Sequence, residues 1–150
     1  MKHAKPPAAI LGGNADDIEA AFYAALQEGD VERVMACWAD EDDIVCVHPG
    51  GARLVGHAAI RAAFESMAGH GALQLRPGAV RKIASLGCVV HSVVERVELR
   101  LPDGAREAFV IATNVYHQTP LGWRLVARHA SAGTQEEAQE AAAVATHLLH

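Results

Sequence analysis

The stretch CVVHSVVERVELRLPDGAREAFVIATNVYHQ, residues 88–118, decides the fold. Two long runs rich in β-branched residues flank Pro102-Asp103-Gly104, which is a turn signal between two strands. A second turn signal, Thr-Pro-Leu-Gly at residues 119–122, leads into a third strand-like run at residues 123–129. The pattern predicts a meander of long antiparallel strands in the C-terminal half of the chain.

The N-terminal half has a helical period instead. Apolar residues recur at helical spacing from Ile18 to Leu26, after Asp16 or Asp17 as the capping residue and before Gly29 as the stop. A second helix is predicted after Asp30, and a third contains residues 60–67. Between the second and third helices, residues 44–48 and 53–55 are predicted to pair as a short hairpin around Pro-Gly-Gly.

Helices that are segregated from a meander-like sheet are typical of an α+β domain. A curved sheet folded against three helices would leave a cone-shaped interior, which is a usual place for a small ligand. The predicted organisation is a flexible leader at residues 1–14, one domain at residues 15–133, and a C-terminal helix at residues 134–150. Thr134 and Glu137 would form a capping box for this last helix.

The composition of the chain argues against several classes of function. The chain has 150 residues and a formal charge of −5 with interspersed signs, which argues against a nucleic-acid groove or an anionic membrane surface as partner. Cys37, Cys46 and Cys88 form no paired or metal-type motif, and no signal peptide precedes them, so a cytoplasmic protein is expected. Neither a phosphate-binding fingerprint nor histidine pairs at metal-ligand spacing are present, so no cofactor and no metal are expected.

Three segments together resemble a known superfamily: IEAAFYAALQEGDVERVMACWAD, HPGGARLVGHAAIRAAFESM and ATNVYHQTPLGWRLVARHAS. They are similar to the SnoaL-like branch of the ketosteroid isomerase-like, or nuclear transport factor 2-like, superfamily, over roughly residues 16–131. The resemblance implies a strongly bent antiparallel sheet that wraps three helices around a deep pocket, and a homodimer formed through the outer face of the sheet. It implies no single function, because the superfamily includes isomerases, dehydratases, cyclases and association domains.

The resemblance places His48 where the steroid isomerases carry their aspartate base. A histidine can also act as a general base near neutral pH. At the positions of the two oxyanion donors this chain has Phe22 and Thr113, a phenyl ring and a weak donor, and Tyr23 falls off the apolar face of the first helix. Steroid isomerisation is therefore not expected.

Strand alternation supplies the other candidate site residues. His91 and Glu95 share a face with the valines of residues 88–101, and Thr113 and His129 share faces with apolar neighbours in the next two strands. If these faces point inward, a histidine would be the obvious partner for Glu95, because a buried carboxylate needs one. The predicted catalytic residues are His48, Glu95 and His129, and the predicted ligand-binding residues are Phe22, Trp38, Phe64, His91, Phe109, Thr113 and Trp123.

Plainer interpretations stay open. His48 could only cap its strand, His129 could be a core or rim histidine, and Glu95 could face solvent or pair with Arg96 or Arg124. The first functional hypothesis is a cofactor-independent isomerase, dehydratase or cyclase that acts on a small apolar carbonyl or hydroxy compound.

The alternative hypothesis is a non-catalytic binding or homo-oligomerisation domain, since WRLVARHASAG resembles the last strand of the calmodulin-dependent kinase association domain. A structural remnant without a ligand is the third hypothesis. For the second one, the outer sheet face is predicted to carry Val110, Ala112, Tyr116, Arg124 and Val126.

Overall fold

The computed structural model describes residues 12–69 and 74–134, together with Glu136 and Gln139. Its helices are α1 (Ala15–Glu28), α2 (Val31–Ala36) and α3 (His57–Gly69). Its strands are β1 (Val45–Val47), β2 (Arg53–Val55), β3 (Gln74–Ser85), β4 (Cys88–Leu101), β5 (Gly104–Thr119) and β6 (Gly122–Ala132). The α+β class is confirmed, with all six of these strands in one sheet of order β2-β1-β6-β5-β4-β3.

The two ends of the chain are only partly covered. Most of the predicted leader and most of the predicted helix at residues 134–150, including the Thr134–Glu137 capping box, lie outside the described residues. Glu136 and Gln139 are helical. In the described part of the chain, no helix is long and apolar enough to span a bilayer.

Helix α1 begins earlier than predicted, because the capping residue is Asn14. The Asn14 side chain accepts a hydrogen bond from the Asp17 amide at 3.0 Å, and the Asp17 carboxylate accepts one from the Asn14 amide at 2.9 Å. This reciprocal capping box satisfies two of the amides that a helix leaves unpaired at its start. The predicted stop is confirmed: Gly29 has φ of 69°, and Asp30 then caps α2.

The sheet is antiparallel except where β1 lies parallel to β6. The predicted hairpin of β1 and β2 is confirmed, and its turn is closed by the Gly51 amide, which donates to the His48 carbonyl at 2.8 Å. Strand β3 runs through Pro77 by means of a bulge between Pro77 and Val80. The turn between β1 and β2 places His48 immediately after the short strand β1.

A second bulge, in β6, decides which side chains face the helices. Val115 pairs with Ala127 and Tyr116 with Leu125, which leaves Val126 as an extra residue. An extra residue reverses the alternation of side chains beyond it. Leu125 and Arg128 are therefore both buried, although strict alternation would put them on opposite faces.

The three helices cover the inner face of the sheet, and the core lies between the two layers. Its largest apolar members are Ile18, Phe22, Tyr23, Trp38, Ile44, Ile60, Phe64, Tyr116 and Leu125. Among the described residues, six polar or charged side chains are also buried, of which five form the network described below. The interior of the predicted cone is thus partly polar, which directs attention to those groups.

Candidate functional site: a buried polar network and His48

An arginine–carboxylate pair lies at the centre of the interior. The Arg128 guanidinium donates to both oxygens of Glu95, from Nη1 at 2.7 Å and from Nη2 at 3.0 Å. Glu95 is 0% exposed and Arg128 is 4% exposed. Burial acts to lower the pKa of Arg128, but the Glu95 carboxylate outweighs it and holds the pKa above its usual value. Arg128 therefore stays charged.

Two neighbours complete the coordination of this pair. The Tyr23 hydroxyl donates to Glu95 Oε2 at 2.5 Å, and the Asn114 carbonyl oxygen accepts from Arg128 Nη1 at 3.1 Å. The Asn114 amide in turn donates to the Tyr23 hydroxyl at 3.0 Å. Burial raises the pKa of Tyr23, and the Glu95 carboxylate raises it further, so Tyr23 remains a neutral donor.

A second carboxylate, Glu19 on α1, anchors the other half of the network. Its Oε2 lies 2.8 Å from His91 Nδ1 and accepts from the Tyr116 hydroxyl at 2.9 Å. The Asn114 amide lies 3.5 Å from the same oxygen and so connects the two halves. Burial first, and then Glu19, raise the pKa of Tyr116, which keeps this phenol protonated as well.

The network reaches the protein surface at one end. Asp16 Oδ1 lies 3.5 Å from His91 Nε2 and 3.1 Å from Lys82 Nζ. Three buried nitrogen atoms have no hydrogen-bond partner among the described residues: His91 Nε2, Arg128 Nε and Trp38 Nε1. Both oxygens of Glu95 and Oε2 of Glu19, by contrast, are engaged by donors.

His48 lies beside this network but outside its hydrogen bonds. The imidazole is half-buried, its ring meets Phe64 edge-on with centroids 5.0 Å apart, and its Nε2 is 4.0 Å from Cys46 Sγ. Burial lowers the pKa of His48 below 6.5, and the positive charge of Arg128 lowers it further against the opposing effect of Glu95. His48 is therefore a neutral imidazole at neutral pH, the form that can accept a proton.

The face of β4 that carries His91 and Glu95, which alternation alone left open, points inward, since both residues are 0% exposed. The prediction that Glu95 pairs with a histidine, or alternatively with Arg96 or Arg124, is wrong, because its partner is Arg128. Strict alternation from Leu125 along β6 would put Arg128 on the outer face. The bulge at Val126 brings it inside.

The inward placement of Thr113, His129 and Phe109 is wrong. Thr113 and His129 are exposed and pair directly with each other across β5 and β6. Phe109 packs on the outer face, where the Arg96 guanidinium lies 6.0 Å from its ring centroid. Both faces of β5 carry apolar residues, so alternation alone selected the wrong one.

The remaining predicted ligand-binding residues lie in or against the core. Phe22 stacks near Arg128, whose Cζ is 5.5 Å from the ring centroid, and it meets Phe64 edge-on at 6.2 Å. Trp38 is buried beside β6, and Trp123 is half-buried against the same core. Phe22 and Phe64 thus provide apolar contacts beside Arg128 and His48.

Sequence reasoning missed Glu19, Tyr23, Asn114 and Arg128 as members of the interior site. Glu19 and Tyr23 are one helical turn apart on α1, next to the apolar stripe, and that i, i+4 spacing is the signal that could have widened the predicted buried face. Asn114 lies between Ala112 and Tyr116 on the same face of β5, and all three are 0% exposed. For Arg128 the sequence offers no such signal, because its orientation depends on the bulge.

Within residues 12–69 and 74–134, no group of three or more histidine, cysteine, aspartate or glutamate side chains has the geometry to hold a metal ion. Burial raises the pKa of Cys37 to about 12 and that of Cys46 to about 11, so both are protonated at neutral pH.

The outer face of the sheet has an alternating pattern of rows that cross several strands. A polar row is formed by Arg81, Ser92, Thr113 and His129. On one side of it lies an apolar row of Ile83, Val90, Val115 and Ala127, and on the other lies an apolar cluster of Ala79, Val94, Phe109 and Ile111. The predicted outer residues Val110, Ala112 and Tyr116 face inward instead, and Ala112 and Tyr116 are both 0% exposed.

Comparison with known proteins agrees with this architecture. The sequence profile of the SnoaL-like domain matches residues 16–135. The chain belongs to the SnoaL-like domain family. This family assignment confirms the resemblance that the three sequence segments indicated. No protein with a curated description matches the chain.

Solved structures, several of them of nuclear transport factor 2-like proteins, are similar to this chain. One, from Thiobacillus denitrificans and provisionally named a calcium/calmodulin-dependent protein kinase type II association domain, is 35% identical with a TM-score of 0.75, over 83% of this chain and 98% of that one. Another, from Streptomyces avermitilis and provisionally named a dehydratase, is 25% identical with a TM-score of 0.70. The match covers 77% of this chain and 91% of that one. A CaMKII hub from S. rosetta shares the fold at 18% identity, with a TM-score of 0.66. The match covers 88% of this chain and 100% of that one.

Proposed function

We propose that this SnoaL-like domain is an assembly domain that forms a homo-oligomer through the outer face of its sheet. The observation that carries the proposal is the apolar character of that face, on which Val94 is only 3% exposed beneath Phe109 and Ile111. The 35% identical relative that is provisionally named an association domain supports the same function.

The surface has the composition of an interface between copies. Val90, Val115 and Ala127 are half-buried on a sheet face that no described helix covers, and Ile83 is 71% exposed at its edge. Contiguous apolar patches on a folded domain mark interaction sites. The polar row between the apolar rows can pair with itself across a two-fold axis, because such an axis brings identical surfaces together.

The buried network argues against an acid–base enzyme that uses Glu95. Glu95, a predicted catalytic residue, has its two oxygens occupied by Arg128 and Tyr23, so it is not free to take a proton from a substrate. The buried network therefore resembles a structural core more than an acid–base site. The three free cysteines support the expectation of a reducing compartment such as the cytoplasm.

Light scattering after size-exclusion chromatography tests the assembly. The wild type is expected to run as a homo-oligomer at micromolar concentration, and Thr113→Arg is expected to dissociate it, because the exposed centre of the face would then carry facing like charges. Ala62→Arg is the matched control: it adds the same charge at an exposed site on α3, on the opposite side of the sheet. A monomeric wild type, or equal behaviour of the two variants, would refute the proposal.

A second candidate function rests on His48. Its neutral imidazole beside Phe64 favours an acid–base enzyme, with His48 as general base, that acts on a small apolar carbonyl or hydroxy compound. Deuterium exchange at the carbon next to the carbonyl of small ketones, followed by NMR, tests this function. His48→Gln should abolish any exchange that the wild type catalyses, and a wild type that catalyses none with a broad ketone panel would count against it.

A further inference from the structure

One part of the outer sheet face is more deeply buried than the rest. On this face Ile83 is 71% exposed and Val90 is half-buried, whereas Val94 is only 3% exposed. Val94 belongs to the outer apolar cluster of Ala79, Val94, Phe109 and Ile111. Side chains on a sheet stand beside one another, so they shield the flanks of a neighbour more than its tip. Burial of this degree therefore calls for a cover above the cluster, and no residue of α1, α2 or α3 belongs to it.

The chain leaves the sheet next to this cluster. The Gly133 amide donates to the Phe109 carbonyl at 2.7 Å, and a Cβ on Gly133 would lie 3.0 Å from the same oxygen. Residues 135–150 follow after Thr134 alone. As a helix this segment would be about 24 Å long, whereas the distance from β6 to β3 across the sheet is about 14 Å. The segment is thus long enough to cross the cluster, and the cluster of its own chain is the nearest one.

The sequence of residues 135–150 fits an apolar surface on one side only. Within this segment the structure describes Glu136 and Gln139, which are helical and exposed. If the helix continues, apolar residues recur at helical spacing on the face opposite to these two polar residues. The members of this apolar stripe are Ala138, Ala141, Ala142, Ala145, Leu148 and Leu149.

The charges around the cluster complement those of the segment. Arg76 and Arg96 pair with each other across β3 and β4 on one side of the cluster, and Arg81 lies on the other side. All three arginines are exposed. Like charges directly opposite each other on a sheet are unfavourable, so an acidic neighbour is favoured there. Residues 135–150 contain three glutamates and neither lysine nor arginine.

We propose that residues 135–150 form an amphipathic helix that docks on the outer apolar cluster of the same chain. The inference goes beyond assembly through the sheet, because the contact lies within one chain and holds for a monomer as well. The docked helix covers one end of the outer face. It leaves the polar row that contains Thr113 and the apolar row that contains Val115 for a second copy. The helix would thus set one border of the homo-oligomer face.

Methyl NMR on the full chain, with a soluble gadolinium chelate that relaxes exposed methyl groups, tests the docking. Val93, which is 0% exposed on the inner face, provides the buried standard, and Leu86, fully exposed at the turn between β3 and β4, provides the exposed one. In the wild type, the Val94 methyl groups are expected to relax as slowly as those of Val93. Relaxation of Val94 near the rate of Leu86 would overturn the proposal.

A matched pair of variants shows whether the segment is the cover. Ala145→Glu adds a carboxylate within the apolar stripe, whereas Ala143→Glu adds it about 200° around the helix, on the side of Glu136. Ala145→Glu should raise the relaxation of Val94 toward that of Leu86, and Ala143→Glu should leave it unchanged. If Ala145→Glu does not fold, Ala141→Glu serves the same comparison. Equal relaxation of Val94 in the two variants would mean that something else covers the cluster, and it would overturn the proposal.

A mixing experiment separates docking within one chain from docking between copies. Labelled Ala145→Glu is refolded together with an excess of unlabelled wild type, so that any oligomer contains mostly wild-type partners. The Val94 methyl groups of the labelled variant are expected to stay exposed. Recovery of slow relaxation would show that the segment of a second copy covers the cluster, which overturns docking within the same chain. Neither outcome depends on the oligomeric state found by light scattering.

Discussion

Removal of Arg128 tests the buried network most directly. Arg128→Met keeps much of the side-chain length but removes the partner of Glu95, which is 0% exposed and retains only the Tyr23 hydroxyl as a described donor. Breaking a buried ion pair from one side costs about 3–5 kcal/mol, because a charge is left without compensation. In a domain of this size that loss corresponds to a fall in Tm of roughly 6–20 °C.

The double variant separates the ion pair from simple loss of packing. Replacing both partners by apolar side chains is often neutral or stabilising by about 1–4 kcal/mol relative to the intact pair. Arg128→Met combined with Glu95→Met is therefore expected to be more stable than Arg128→Met alone. Urea denaturation followed by circular dichroism, at one protein concentration for all variants, measures both differences.

An exposed pair provides the control. Arg33 and Glu28 form an ion pair with side chains 50% and 58% exposed, so Arg33→Met should cost no more than about 1 kcal/mol. The reasoning would be refuted if Arg128→Met cost as little as Arg33→Met, or if Glu95→Met and Arg128→Met destabilised the protein additively. Either outcome would mean that Glu95 is solvated in the folded state.

Three further predictions concern single residues. The folded-state pKa of His48 is lowered from 6.5, so protonation favours the unfolded chain. The contribution of His48 to stability is therefore present above pH 6.5 and is lost as the pH falls below it. His48→Gln should reduce that loss, which a comparison of Tm at pH 7 and at pH 5 measures. Asn14→Ala should cost about 1 kcal/mol in urea denaturation by removing the α1 cap, and an unchanged midpoint would contradict the capping box. At pH 8 a thiol reagent should label Cys88 first, because burial raises the pKa of Cys37 and Cys46; rapid labelling of all three would show that the core opens readily.

The elements of the fold follow from local patterns, because each depends on residues close in sequence. The stop at Gly29, the cap at Asp30 and the hairpin of β1 and β2 require only short-range signals, and all three are present. The start of α1 was placed too late because Asn14 and Asp17 act together and either residue alone is only a moderate signal.

Local patterns do not predict which face of each long strand points inward. Strand β5 has apolar side chains on both faces, since the outer face is itself apolar, so alternation cannot tell inside from outside. Asn114 adds to the ambiguity, because a polar residue is expected outside but here completes a buried network. The pairing of Glu95 with Arg128 joins residues 33 apart, and it depends on the bulge in β6.

That bulge has a consequence for how the interior of such a domain can change. If the bulge were lost by a one-residue slip of β6, so that Val126 took the place of Ala127 opposite Val115, Arg128 would turn outward and His129 would turn inward. Such a slip would exchange a permanently charged interior for one with a titratable group. In a sheet of this kind, a change of register by one residue alters the interior chemistry more abruptly than a substitution does.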